Sequence, residues 1–234
     1  MIEYAQTADH VVRLTLNSPE TGNRFTYRIM QDFIAALEKA SQSQAAVLLL
    51  SAKGPDFTLG RDQKEQLPQV GRRENLGLIL QANAALRQFP GVSVSLVNGR
   101  ALGFGSGLAL HSTISIAAHD AVLGFDEITH NLAPLVVAAY LPYFIPPRVA
   151  DELVLTGRSV AADEAQRIGL VTRVVQADRL RQAGEELVDQ LSGHSAGALR
   201  LIRRFSAGNG GYPGPERNQA AVEQLVQWLE AGRP

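Results

Sequence analysis

The sequence predicts an α/β fold, on three observations. Amphipathic segments with a helical repeat alternate along the chain with short, nearly all-apolar segments. One of these, AAVLLLSA, is too continuous for a strand with one wet face and reads as a buried strand. A glycine-rich turn, VNGRALGFGSGLAL at 97–110, joins one such strand to the start of a helix. Repetition of strand, helix, strand, loop and helix favours buried strands joined by right-handed crossovers.

The elements follow in order. HVVRLTLNSP alternates apolar Val12, Leu14 and Leu16 with polar neighbours and stops at a turn-rich Asn-Ser-Pro, the pattern of a half-buried strand. In TYRIMQDFIAALEKA, Ile29, Phe33 and Leu37 stand four residues apart with Met30 and Ile34 beside them, which makes one apolar helical stripe. AAVLLLSA reads as a buried strand and GPDFTLGRD as its exit loop. A polar stretch leads to a helix around LGLILQANAALRQF, a strand at VSVSLV, the glycine turn, a short helix, and strand-like TISIAA and VLGF. From about residue 149 the pattern becomes helical and ends in GPERNQAAVEQLVQWLEA. There Pro215 suits a first turn, and Val222, Leu225, Val226 and Leu229 share a face. GNGGYPG before it reads as a joint, freeing the last helix to pack on its own core or on a neighbouring subunit.

With 234 residues, 45% of them hydrophobic, the chain can bury one sizeable core. Its 22 basic and 23 acidic residues give no overall attraction to nucleic acid or to an anionic membrane. Without cysteine there is no disulfide, thiolate nucleophile or cysteine-bound metal, as suits a reducing compartment. The start, MIEYAQTADHVV, is too polar for a signal peptide. The longest uncharged apolar run, 132–147, is broken by four prolines and falls short of the ~18 residues of a membrane span. A soluble, cytoplasmic protein is expected. The five histidines form no H-x-x-x-H pair, and no metal site is expected.

The glycine turn fails the tests for familiar motifs. After Gly103 and Gly105 a dinucleotide fingerprint needs glycine where Leu108 stands; a phosphate loop needs a terminal Gly-Lys-Ser/Thr; a hydrolase elbow needs glycine where Phe104 precedes Ser106. What remains is a strand, a turn and a helix start whose N–H groups are unpaired and partly positive. Glycines let a substrate oxygen approach such groups; a close helix–strand contact would also use small residues. A second strand exit, KGPDFTLGRD, brings Gly60, Arg61 and Asp62 out at a similar carboxyl end, where ligands of open α/β sheets bind.

These stretches resemble the crotonase, or enoyl-CoA hydratase/isomerase, superfamily. GPDFTLGRD is similar to its first oxyanion motif, commonly F-S-A-G-x-D, and VNGRALGFGSGLAL to its second, commonly N-G-x-A-x-G-G-G-x-E-L-A. LGFDEITHNLAP is similar to F-G-x-P-E-x-x-x-G-x-x-P, and LTGRSVAADEAQRIGLVTRVV to L-T-G-x-x-x-x-A-x-E-A-x-x-x-G-L-V-x-x-V. The four motifs stand in the family's order. The resemblance implies a crotonase-like spiral of ββα repeats over 1–175, with a helical segment over 176–234 that serves packing and assembly into trimers or hexamers. It implies an acyl-CoA thioester substrate, with coenzyme A part of the substrate and no separate cofactor.

Carried over by position, the two peptide N–H groups that would hold a thioester enolate belong to Arg61 and Phe104. Gly60, Asp62, Gly103, Gly105, Gly107, Pro134 and Leu135 would then shape the substrate site. Hydratases of the family use two glutamates. The first falls at Gly107 and is absent; the second is Glu127. Members that keep only the second glutamate include enoyl-CoA isomerases and some hydratases of aromatic enoyl-CoA substrates. The resemblance therefore favours an isomerase with one glutamate as proton shuttle over an ordinary two-glutamate hydratase and leaves hydration open, the other alternative being a non-catalytic acyl-CoA-binding or interaction protein. Following apolar VLGF, Glu127 is placed for partial burial, which raises a carboxyl pKa. Asp126 takes the place of the family proline and is expected to face solvent. His111, four residues after Gly107, and His130 are further candidates to replace the missing glutamate. A dehalogenase-type aspartate would fall near Leu135 and is absent. Arg24, Lys53, Arg61, Arg203 and Arg204 are the cations open to coenzyme A phosphates.

Overall fold

The unbroken apolar run of residues 47–50 and the all-apolar face of residues 12, 14 and 16 decide where the sheet forms. The computed structural model describes residues 1–7, 10–209 and 215–230. Its elements are β1 (Ile2–Gln6), β2 (Val11–Leu16), α1 (Tyr27–Gln42), β3 (Val47–Ala52), α2 (Arg72–Arg87), β4 (Val92–Val97), β5 (Arg100–Leu102), α3 (Phe104–His111), β6 (Ile114–Ala118), β7 (Val122–Gly124), α4 (Leu135–Tyr140), α5 (Pro147–Thr156), β8 (Ser159–Ala161), α6 (Ala162–Ile168), β9 (Arg173–Val175), α7 (Leu180–Ser192), α8 (Ala196–Asn209) and α9 (Pro215–Glu230).

Among the described residues the strands form two sheets. The larger runs β1-β2-β3-β4-β6-β9 and is parallel except at β1. Every residue of β4 is buried, as a parallel strand covered on both faces requires. The smaller sheet runs β5-β7-β8, with β5 parallel to β7. Each long strand hands the chain to a short extended stretch that runs parallel to its neighbour in the next repeat. Phe25 bridges to Arg61, Thr58 to Ala101, and β5 pairs with β7. These are the turns of a ββα spiral, and they bring successive strand exits into line.

Several elements escape the sequence pattern. β1 hides in the polar first stretch because an edge strand needs only one apolar side. α2 begins at Arg72, ahead of its apolar stripe. α4 lies within the apolar run between Pro134 and Pro142, where the flanking prolines punctuate a helix. β8 and β9 interrupt the region that reads as helical from residue 149. Three-residue strands carry no alternation of their own; β8 exists because it pairs with β7, and β9 because it pairs with β6.

The late helices return to the core. α7 packs on β3, β4 and β6, with Gly184 so close to β4 that a Cβ there would lie 2.6 Å from the Leu96 side chain. α9 packs on α4 and α2 and buries Val222, Leu225 and Val226. Most of the GNGGYPG joint and the Leu229 side chain lie outside the described residues.

A short ladder fixes the loop after β3 to the loop after β4. Phe57 N–H donates to the Asn98 carbonyl at 2.8 Å, Thr58 N–H to Arg100 at 3.1 Å, and Leu102 N–H to Thr58 at 3.0 Å. The Asp56 carboxylate, 8% exposed, accepts from the Arg100 guanidinium twice at 2.8 Å and from its backbone N–H at 3.1 Å. The side-chain bond from Arg100 holds the Asp56 carboxyl below its usual range. Replacing Asp56 with alanine leaves the ladder without its end clamp and is expected to lower unfolding free energy by about 1–3 kcal/mol, read from urea denaturation at pH 7.

Candidate active site

A cleft of about 480 Å³ opens where the two loops meet. Gly60, Arg61, Asp62, Gly103, Phe104, Asp126, Glu127, His130 and Pro134 line it. Gly60 has φ +78° and Gly103 φ +51°, the left-handed region that favours glycine. The turns also touch. A Cβ at Gly60 would lie 2.6 Å from the Leu102 carbonyl oxygen and 3.5 Å from Phe104 N. The bridge at Phe25 uses the Gly60 carbonyl and the Asp62 N–H, which leaves Arg61 N–H on the other side of the strand. Among the described residues, neither Arg61 N–H nor Phe104 N–H donates to a protein acceptor.

The Phe104 ring is not the obstruction its size suggests. It is 5% exposed and packs edge-on against Phe25 at 4.9 Å, while Phe25 meets Phe33 at 5.5 Å. The side chain anchors the helix start in the core, and the backbone stays at the cleft wall. Behind it, Ser106 donates to the Ala101 carbonyl at 2.6 Å and accepts from Gly124 N–H at 3.0 Å, tying α3 to both short strands.

Glu127 begins a 3-10 turn that ends at Asn131, whose φ is +57°. Its carboxylate lies against Gly103: a Cβ there would stand 2.9 Å from Glu127 Oε1. The residue as a whole keeps some exposure, but Oε2 is inaccessible and has no hydrogen-bond partner among the described residues. Burial, aided by the neighbouring Asp126 charge, raises the carboxyl from an ordinary 4.5 to about 7. Asp126, expected to face solvent, keeps 29% of its side chain exposed while also lining the cleft, and meets His130 Nε2 at 3.2 Å.

The solved enoyl-CoA hydratase of Mycobacterium avium subsp. paratuberculosis superposes with a TM-score of 0.89 at 22% identity, over 98% of this chain and 93% of that one. That of Bacillus anthracis does so with a TM-score of 0.82 at 26% identity, over 98% and 91%. The 2,3-dehydroadipyl-CoA hydratase of Escherichia coli is 28% identical over 196 residues, covering 83% of this chain and 77% of its own. The enoyl-CoA hydratase/isomerase family model matches residues 6–209. The chain belongs to the enoyl-CoA hydratase/isomerase family. It is accordingly an enzyme of the hydratase/isomerase type, acting on an acyl-CoA thioester.

Within this hydratase/isomerase, three residues expected at the substrate do not themselves line the cleft. Gly105 is a close-packing position behind the wall, where a Cβ would meet the Thr58 carbonyl oxygen at 2.8 Å. Gly107 is covered by the Tyr140 hydroxyl. Leu135 packs against the core, and the next two residues of α4, Val136 and Val137, line the cleft instead. His111 is 3% exposed, holds the Gly107 carbonyl at 2.7 Å through Nδ1, and is pushed by burial to about 4. It stands behind Tyr140 and outside the wall.

Of the candidate cations, Arg61 is in the cleft, with Nη2 on Asn75 Oδ1 and a buried Nη1 that has no partner among the described residues. Burial draws its guanidinium below the usual value, against the pull of Glu65 and Asp62. Lys53 pairs with Glu3 at 2.8 Å, Arg24 donates to the Leu59 carbonyl at 3.0 Å, and Arg203 lines a separate groove with Arg87 and Arg200. The Arg204 side chain lies outside the described residues. No cluster of three or more potential metal ligands occurs among the described residues, nor any helix long and apolar enough to cross a membrane.

Leu76 and Ile79 of α2, Tyr140 of α4 and Leu225 of α9 complete the wall. In the sequence Leu76 and Ile79 stand in an expected helix, Leu225 on a face free to pack on the core or on a neighbouring subunit, and Tyr140 in an apolar run with no element assigned.

The raised Glu127 pKa gives a signed test. Between pH 4.5 and about 7 the folded state holds a proton that the unfolded state has lost, so this group's contribution to stability falls as pH rises through that window. Glu127→Gln removes the penalty: the variant is expected to gain up to ~3 kcal/mol over wild type at pH 8 relative to pH 4, measured by chemical denaturation at both values.

Proposed function

We propose that this enzyme moves the double bond of an enoyl-CoA thioester through an enolate held by Arg61 N–H and Phe104 N–H, with Glu127 as the single proton shuttle. The Glu127 carboxylate takes a proton from the α-carbon of a 3-enoyl thioester. The electron pair spreads onto the thioester oxygen between the two N–H groups, and the proton returns to the γ-carbon to leave the 2-enoyl isomer. No second acid is consumed, which suits a chain with Gly107 where a two-glutamate hydratase carries a side chain.

The observation that carries this reading is one wall holding two peptide N–H groups that have no protein acceptor among the described residues, beside a buried carboxyl raised to about 7. Such donors act where charge develops, and each is worth about 10²- to 10³-fold in turnover in comparable sites. A carboxyl poised near the working pH can both accept and return a proton.

Glu127→Gln is expected to lower kcat for conversion of 3-enoyl-CoA to 2-enoyl-CoA by about 10²- to 10⁴-fold. Wild-type kcat should rise with pH through about 7 and level off above it, because the carboxylate is the active form. Full turnover by the glutamine variant in a spectrophotometric assay sinks the assignment. Assembly into trimers or hexamers belongs to the same proposal. It is supported by Leu201 and Ile202, which stand 56% and 62% exposed on α8, and is checked by sedimentation equilibrium against the 25.2 kDa chain mass.

A further inference from the structure

Tyr140, on the cleft wall, stands beside polar groups that double-bond migration does not use. α3 places Gly107 one turn beyond Gly103, its N–H donating to the Gly103 carbonyl at 3.1 Å. A Cβ at Gly107 would stand 3.1 Å from the Tyr140 hydroxyl and 3.9 Å from Asn83 Oδ1. The space a side chain at this position would enter is therefore bordered by a phenol from α4 and an amide from α2. Tyr140 also lines the cleft, its ring held edge-on by His111 at 4.8 Å and Phe144 at 6.3 Å. Asn83 is 1% exposed, and its Oδ1 and Nδ2 are both buried without a protein partner among the described residues. A buried amide unmet at both ends is costly enough to call for a small polar occupant.

We propose that Asn83 and Tyr140 are positioning residues that hold a hydroxyl-sized group at the β-carbon: the water that adds to a 2-enoyl thioester, and the β-hydroxyl of the product in the reverse direction. This rests on the enolate reading above and extends it to hydration by one carboxylate. Asn83 offers an acceptor and a donor, and Tyr140 a hydroxyl, so the pair orients the water without exchanging a proton with it. Glu127 stands at the other end of the same helical turn, with Oε1 beside Gly103. It takes a proton from the held water as the water oxygen bonds to the β-carbon. The π pair moves to the thioester oxygen, and the protonated Glu127 then gives that proton to the α-carbon as the enolate collapses. One water is consumed and Glu127 ends as it began.

The test compares Asn83→Leu and Tyr140→Phe with wild type on a short-chain 2-enoyl-CoA for hydration and a 3-enoyl-CoA for migration. In each variant, hydration kcat is expected to fall about 10- to 100-fold with KM within about threefold, and the ratio of hydration to migration to fall at least tenfold. Asn83→Leu should melt no lower than wild type, since it removes two unmet polar groups. If it does melt lower, Tyr140→Phe, which keeps the ring contacts, carries the test. Hydration that survives both substitutions, or falls only in step with migration, overturns the assignment, as does a wild-type chain that migrates double bonds but adds no water. A wild-type chain that does neither overturns the enolate reading and this assignment with it.

Discussion

The hydrogen bonds that lay residues 57–58 alongside 98–102 set the distance between two turns that belong to different repeats. Nothing else about the cleft is possible until that spacing is set, because Gly60 and Phe104 are far apart in sequence and meet only through this ladder. Backbone bonds are suited to the task. They position main-chain N–H groups to a few tenths of an ångström without long, flexible side chains, whose ordering would cost entropy. The Asp56–Arg100 pair and the buried Ser106 hydroxyl stiffen the same strip from either end.

Onto this rigid frame the fold places a carboxyl group where its charge is disfavoured. Glu127 has an inaccessible Oε2, an acidic neighbour in Asp126, and the Gly103 backbone against Oε1. Burial and the Asp126 charge each weaken folding and move the group toward the pH at which it can act. Such strain concentrates at sites of chemistry because the surrounding core tolerates it. Here that core is the Phe25, Phe33 and Phe104 cluster, which also fixes the start of α3.

The same economy explains departures from the family pattern. A phenylalanine replaces a motif glycine at position 104 and surrenders no N–H, while its ring gains a place in the core. Gly107 gives up a side chain, and the room is bordered by α2 and α4 through Asn83 and Tyr140. The last helix contributes Leu225 to the wall, so the end of the chain finishes a site begun by its first loops.

Read alone, the sequence determined the α/β class, the long strands, the first two long helices and the last one, and both glycine turns. Each has a local cause: apolar period, turn chemistry, or a motif whose residues lie within a dozen positions. Three-residue strands such as β8 and β9 were illegible because their bonds come from strands distant in sequence. That Leu135 turns to the core while Val136 and Val137 face the cleft, that Asp126 pairs with His130, and that Asn83 approaches Gly107 were decided only by tertiary structure. Side-chain burial and approach depend on which elements pack together, and no local pattern encodes that.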